Sequence, residues 1–465
     1  MSKKNKGLWR IVDNFRGDKI IWMIALTLIG ISILVISSST PLLAIQLHST
    51  RSAIINKQVM VACAGLGLII FCYNFLRNID FLRKISRFGF ALSFVLLLCL
   101  VLKVDTKLVR AEEINGAVRT LKFYKIPFQL HVYEFVKLFM VLYIAWACQA
   151  FKKGEFRLAR RLAALPHLSF MKKKTWQMVF FIALPVLLVT VMVLYGSASS
   201  AMFIGGIMVI TVLLGGAVNL KQGLPIIAGG LVLVGVCVVL SFATDGKVFP
   251  RIQTVMGRLE LASGNKEEEL VKILEDRENE HRMDQFREAL DKYKQPISAK
   301  VAISEGSFLL GKGPGHSTQR YVVPIMFEDY MFSFIVEEYG ILGALLIIIL
   351  YATLLARGLI LVKSCTELYS KIVIAGLIIT ISGQAMMHML INVDIGLLTG
   401  QTLPMLSHGA SSFIAFSIAF GIILSISRMV KERVEKEVAQ IKPIIEPGDE
   451  VRAGLDDLDR LDAMD

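Results

Sequence analysis

Residues 20–37 read IIWMIALTLIGISILVIS, a run without a charged side chain. A helix needs about 20 predominantly apolar residues to cross the hydrocarbon core of a bilayer, so this run reads as a membrane span. Nine more follow, at 59–75, 88–102, 132–150, 177–195, 201–218, 224–242, 330–356, 372–391 and 411–427. The expectation is an all-α, polytopic membrane protein of about ten transmembrane helices, with a long outer loop over 243–329 between helices seven and eight. Composition agrees. Of 465 residues, 55% are hydrophobic and 19% charged, against about half and about a quarter in soluble domains.

The net charge of +13 belongs to the same pattern. Lys and Arg gather in residues 3–19, 77–87, 152–174 and 428–436. With ten spans all four clusters fall on one side, and the positive-inside rule makes that side cytoplasmic. Both termini are then cytoplasmic. The chain divides into an N-terminal segment 1–19, a membrane domain 20–427 and a charged tail 428–465. The basic excess needs no nucleic acid to explain it. The first span reads as an uncleaved helix rather than a signal peptide, because no small-x-small cleavage site follows it. Six cysteines, five of them inside apolar runs and none in a CxxC, exclude a disulfide framework and a zinc site.

Several polar groups stand where an apolar chain should not carry them. Glu134 and Lys137 are three residues apart on one face of span four, where they can pair. Ionisable residues inside membrane helices are functional suspects, but a self-neutralising ion pair and a polar floor for a charged ligand are both open. Residues 306–317, GSFLLGKGPGHS, hold four glycines; such a loop can turn N–H groups toward an anion or can be a simple turn. Asp329 stands at the start of span eight, where a carboxylate caps N–H groups. Glu337 and Glu338 follow inside that helix and need partners. Residues 399–412, TGQTLPMLSHGASS, are broken by Pro and Gly, which at membrane depth is tolerated only when the backbone is buried in protein or lines a cavity. His316 and His408 fit either acid–base or plain hydrogen-bonding roles. Residues 267–294 are dense in charge, with Leu270, Ile273, Leu274, Phe286 and Leu290 at helical spacing, and read as an amphipathic helix or helical pair.

These residues resemble those of the SEDS family (shape, elongation, division and sporulation; FtsW, RodA and SpoVE). Residues 311–319, GKGPGHSTQ, resemble the family's GxGxGxSxQ, and their Gly-Lys-Gly-Pro-Gly form is more similar to the division member FtsW than to the elongation member. Residues 329–332 resemble Asp-Phe-Ile-Phe, 337–340 Glu-Glu-x-Gly, 116–119 the Gly-Ala-x-Arg loop, and 403–412 Leu-Pro-Phe-Ile-Ser-Tyr-Gly-Gly-Ser-Ser. Glu134 and Lys137 match the last positions of Gln-Pro-Ser-Glu-x-x-Lys. There are departures. Phe327-Glu328 stands where His-Thr is usual before the Asp, Tyr133 replaces a Ser, Gly196-Ser197 replaces Pro-Asp, and Thr120 replaces a Trp.

The resemblance implies a peptidoglycan glycosyltransferase of the bacterial inner membrane, working at the division septum. It implies polymerisation of lipid II into glycan strands, with a class B penicillin-binding protein transpeptidase and other divisome membrane proteins as partners. The family's essential outer-loop Asp falls on Asp329, the expected general base. A sugar 4-hydroxyl attacks an anomeric carbon, a lipid diphosphate leaves, and the centre inverts. The expected substrate-binding residues are Arg119, Glu134, Lys137, Lys312, Gln319, Glu338 and Ser407. Arg119 and Lys137 are the leading cations for the diphosphate, with Lys312 and Arg320 behind them. A divalent cation such as Mg2+ suits the chemistry, although no ligand spacing marks a metal site. Glu328 competes with Asp329 for the role of base and is expected to be dispensable. The rival readings are a lipid II flippase, which should carry polar groups along a path or near the midplane, and a non-enzymatic divisome scaffold.

Overall fold

The structure is a computed structural model. It describes residues 17–46, 49–114, 117–124, 129–164, 166–216, 266–275, 281–306, 309–321, 326–395 and 400–445, with positions 235, 239, 243 and 244 between them. Helices α1 (Lys19–Gln46), α2 (Arg51–Phe75) and α3 (Ile79–Val101) precede a small sheet of β1 (Val109–Ile114), β2 (Ala117–Phe123) and β3 (Gln129–His131). Then come α4 (Val132–Lys153), the short α5 (Arg157–Leu162) and α6 (Lys174–Met178), α7 (Leu184–Gly196) and α8 (Ala198–Leu214). The outer segment supplies α9 (Lys266–Glu275), α10 (Arg282–Glu305) and the four-residue α11 (Met326–Asp329). The chain continues through α12 (Met331–Ser364), α13 (Leu368–Asn392) and α14 (Ala410–Ile445).

Among the described residues eight helices are long and apolar enough to cross a membrane, and Ala198–Leu214 is a shorter apolar helix. They correspond to nine of the ten expected spans; the seventh, 224–242, lies outside the described residues. The expected helical pair is present as α9 and α10. The all-α expectation omitted the sheet, which pairs β1-β2-β3 in antiparallel order.

Burial separates the helices into inner and outer members. The apolar windows of α4, α13 and α14 are 72%, 67% and 72% buried, whereas those of α2, α3 and α12 are 28% buried. The first group forms the centre, and the rest face outward on at least one side. Helix starts follow ordinary capping chemistry: Thr50 accepts from Ala53 N–H, Asn78 from Asp80 N–H and Ser197 from Ser200 N–H. Gly154 closes α4 in the left-handed conformation (φ 66°). Pro185 has no N–H to offer the carbonyl of Phe181, four residues back. A π-helical stretch, Val179–Ala183, precedes α7 there, and the hydroxyl of Tyr143 donates to that carbonyl at 2.9 Å.

Two polar ends result. At one, the Asp18 Oδ1 accepts from the N–H groups of Ile20 and Ile21, while its Oδ2 takes two guanidinium bonds from Arg357. Its own N–H donates to Ser427 Oγ, and Arg83 pairs with Glu367 nearby in the fold's basic end. At the other end the sheet is pinned to the start of α14, where Ser411 Oγ donates to the carbonyl of Gln129 and accepts from the N–H of His131.

Candidate functional site

A cavity of about 120 Å³ opens at this second end. Arg119 of β2, His131 of β3, Tyr133 and Glu134 of α4, Ser200 of α8, Glu328 and Asp329 of α11, and the loop at Gly400–Gly409 with Ser412 line it. Asp329 is held by its backbone. The carbonyls of Phe327, Glu328 and Asp329 accept, in turn, from His408 N–H at 2.9 Å, Ser407 Oγ at 2.7 Å and Asn392 Nδ2 at 3.2 Å. The expected N-cap role of Asp329 is corrected here. Tyr330 occupies the N-cap position of α12 without a side-chain cap bond, and the N–H groups of Phe332 and Ser333 go to His388 Nε2 and Asn392 Oδ1. His388 is thereby fixed as the neutral Nδ1–H tautomer, donating to the carbonyl of Gln401 at 2.7 Å. Another chain segment takes these two N–H groups, and Asp329 lines the cavity.

The loop comes close to that carboxyl because of Gly400. Its φ is 58°, and a Cβ there would stand 3.4 Å from Asp329 Oδ2. Beneath the loop Lys137, 3% exposed, donates to Glu134 Oε1 at 2.8 Å, Gln384 Oε1 at 2.5 Å and Gln401 Oε1 at 3.4 Å. Gln384 in turn donates to the carbonyl of Thr402, and Gln401 to Ser200 Oγ. Lys137 is therefore the floor of the cavity rather than part of its lining.

Three buried polar atoms around this cavity have no hydrogen-bond partner among the described residues: Arg119 Nε, Glu134 Oε2 and His408 Nδ1. Unsatisfied buried groups cost free energy, and a cluster of them marks a place for a ligand or ordered water. Burial, with Lys57 as a smaller cause, lowers the His408 pKa to about 4, so its ring is neutral at pH 7. Burial and the neighbouring Asp329 raise the Glu328 pKa to about 8. Among the described residues no group of three His, Cys, Asp or Glu side chains is arranged for a metal ion.

The glycine loop has a different occupation. Gly340 leaves the helical conformation (φ 66°, ψ −161°) within α12. The carbonyls of Glu337 and Glu338 accept instead from the N–H groups of Lys312 and Gly313, and Leu342 N–H donates to the carbonyl of Leu309. The loop splices the broken helix. Close approach requires glycine there, since a Cβ at Gly311 would meet Gly340 N at 2.5 Å. The side chains of Glu337 and Glu338 are both fully buried. Glu337 accepts from Lys312 Nζ, Ser317 Oγ and the N–H groups of Thr318 and Gln319. Glu338 accepts from Ser38 Oγ and the N–H of Gly315, with Arg320 at 3.9 Å.

Of the expected site residues, Asp329, Arg119 and Glu134 line the cavity, Lys137 underlies it, and Ser407 holds the Glu328 carbonyl. Lys312, Gln319 and Glu338 belong to the splice, where the loop's donors go to carboxylates of the chain itself. Sequence reasoning missed His131, Ser200, Gln401 and Thr402 in the cavity and Gln384 beneath it. A glutamine inside the apolar run of span nine was the available signal for Gln384. Two departures from the family pattern fit each other. The Tyr133 hydroxyl donates to the carbonyl of Val118 at 3.3 Å, and a Cβ at Gly196 would stand 2.1 Å from that hydroxyl. The larger residue at 133 occupies space that glycine leaves at 196.

The family model FTSW_RODA_SPOVE, described as cell cycle protein, matches residues 18–432. The chain is 29% identical over 217 residues to stage V sporulation protein E of Bacillus subtilis, covering 44% of this chain and 55% of that one. It is 31% identical over 134 residues to a probable peptidoglycan glycosyltransferase FtsW of Caulobacter vibrioides, covering 29% and 34% of the two chains. It is 32% identical over 138 residues to the peptidoglycan glycosyltransferase MrdB of Escherichia coli, covering 28% and 35%. The matched stretches thus span from about a third to just over half the length of these relatives. A solved chain described as "Structural coordination of polymerization and crosslinking by a peptidoglycan synthase complex" superposes with a TM-score of 0.56 at 20% identity, covering 89% of this chain and 98% of that one. A mutant of the Thermus thermophilus rod shape determining protein RodA gives a TM-score of 0.50 at 16% identity, covering 89% and 97%. At these identities the structural likeness concerns the fold.

Proposed function

The chain belongs to the FtsW, RodA and SpoVE family, and from that premise we propose that it is a peptidoglycan glycosyltransferase that polymerises lipid II. The observation that carries the reading is the cavity itself, which Asp329 lines together with the three residues whose buried polar atoms have no partner among the described residues. Asp329 acts as general base and takes the proton of the sugar hydroxyl. That hydroxyl's oxygen bonds to the anomeric carbon while the bond from that carbon to the diphosphate oxygen breaks, which inverts the centre. Arg119 meets the leaving diphosphate, and the N-terminus of α14 beside Gly409 and Ser412 favours the same negative charge. Glu134, held by Lys137, orients a sugar hydroxyl through its unpartnered oxygen. The polar groups that line the cavity belong to one end of the membrane domain, which favours group transfer at a surface over passage across the bilayer. A class B penicillin-binding protein that cross-links the product is the proposed partner, other divisome proteins assemble around the pair, and the bacterial inner membrane at the septum is the proposed location.

The test is incubation of the purified protein with lipid II, with and without its cognate transpeptidase, and separation of glycan chains by length. Wild type yields polymer, and Asp329→Asn lowers the rate by about 10²-fold or more while the protein remains folded. Polymer made by Asp329→Asn at the wild-type rate removes the general-base assignment. The absence of polymer with wild type and partner together removes the enzymatic reading.

A further inference from the structure

Glu328 and Asp329 bring two carboxyl groups to the lining of one cavity. Neither can leave by a local turn of the backbone, because three consecutive carbonyls, those of residues 327, 328 and 329, are each held by a donor from elsewhere in the fold. Two carboxylates sharing a partly buried site repel, and such pairs retain a proton at a pH where a lone carboxylate has lost it. We propose that Glu328 contacts the substrate in its neutral form, its carboxyl hydrogen donated to a phosphoryl oxygen of the leaving diphosphate while ionised Asp329 accepts the proton of the attacking hydroxyl. This rests on the glycosyl-transfer reading of the cavity. The Glu328 proton stays on Glu328 throughout. The only proton transferred passes from the acceptor hydroxyl to Asp329, and the electron pair of the broken carbon–oxygen bond leaves on the diphosphate.

The surroundings assign the two roles. Burial, and secondarily Asp329, raise the Glu328 pKa to about 8, so the neutral form prevails at pH 7. The other groups facing it are Arg119 from β2, His131 from β3, the Lys137-paired Glu134 from α4, and His408 ahead of α14. His131 and His408, whose pKa values burial lowers, stay neutral between about pH 7.5 and 9.5. Within that window the change expected in the cavity is loss of the Glu328 proton. That loss removes a donor and adds a negative charge where a diphosphate must bind.

The experiment is the pH dependence of kcat/KM for lipid II in wild type, Glu328→Gln and Glu328→Ala. Wild type loses about tenfold per pH unit above pH 8. Glu328→Gln, which keeps a neutral donor, shows no such fall over that range. Glu328→Ala, dispensable on the sequence reading, here lowers kcat/KM at least tenfold at pH 7, chiefly through KM. A wild-type alkaline fall in Glu328→Gln, or a wild-type KM in Glu328→Ala, overturns the proposal. Infrared titration provides a readout independent of turnover. Wild type shows a protonated-carboxyl band that disappears with a midpoint near pH 8 and is missing from Glu328→Gln. A wild-type protein without that band refutes the inference, whereas the band without any polymerisation refutes the enzymatic reading and leaves the protonation state standing.

Discussion

Lys137→Met replaces a buried ammonium by an apolar side chain of similar length. An ammonium has three N–H donors, and here they reach three acceptors: Glu134 Oε1, Gln384 Oε1 and Gln401 Oε1. The variant leaves a carboxylate whose other oxygen already lacks a partner, together with two amide oxygens facing no donor. Removing one member of a buried ion pair costs about 3–5 kcal/mol, or two to nearly four powers of ten in the unfolding equilibrium. That is a large part of the roughly 5–15 kcal/mol that holds a typical domain folded. Glu134→Gln/Lys137→Met removes the stranded charge and recovers most of the loss. Activity does not return with it, because Lys137 also supports Gln401 beside the loop that touches Asp329. Denaturant unfolding in one fixed detergent, run beside the polymerisation assay, separates the two effects. A single variant within about 1 kcal/mol of wild type would refute the buried-pair energetics. A double variant with wild-type activity would show that the network is scaffold alone.

Other outcomes follow from single contacts. Gly400→Ala sets a side chain in the left-handed conformation, costing about 1–2 kcal/mol, and any relief of that strain moves the backbone beside Asp329 Oδ2, with which its Cβ is in van der Waals contact; the melting point drops modestly and turnover drops more, and equal losses would mean that the loop does not position the carboxyl. Gly311→Ala meets backbone at 2.5 Å and destabilises far more than Gly154→Ala, which has open space around it; paired thermal melts compare them. His408 has a pKa depressed from 6.5 to about 4, so between those values the unfolded chain binds a proton that the folded chain refuses. Stability is therefore lost as pH falls from about 6.5 to 4, and His408→Asn flattens that part of the melting profile; an unchanged profile counts against the burial of the ring.

The membrane helices were legible because hydropathy and length determine them directly, but the third was expected to start at 88, whereas Asn78 caps it ten residues earlier, at a charged turn that hydropathy does not register. The sheet was less legible. Residues 109–123 alternate only loosely, and the short third strand at 129–131 is held by Ser411, 280 or more positions away. Asp329, Arg119 and Glu134 were singled out through motif resemblance, and all three line the one cavity. The glycine loop left an anion site and a simple turn both open, and its donors go to Glu337 and Glu338 in the same chain. No local pattern announces that Gly340 breaks a helix for the loop to mend.

The splice has a consequence for biogenesis. Chains are made from the N-terminus, and among the described residues the donors and the ion-pair partner of Glu337 and Glu338 precede them: Ser38, Lys312, Gly315, Ser317, Thr318 and Gln319, with Arg320. When the two acidic residues leave the ribosome, the groups that will receive them have already been synthesised. The hydrogen bonds that offset the cost of taking two carboxyls into a helix at the membrane come from segments made earlier. A deletion within 312–320 would therefore act during insertion itself, appearing as a failure of α12 to integrate rather than as a finished protein with a loosened loop.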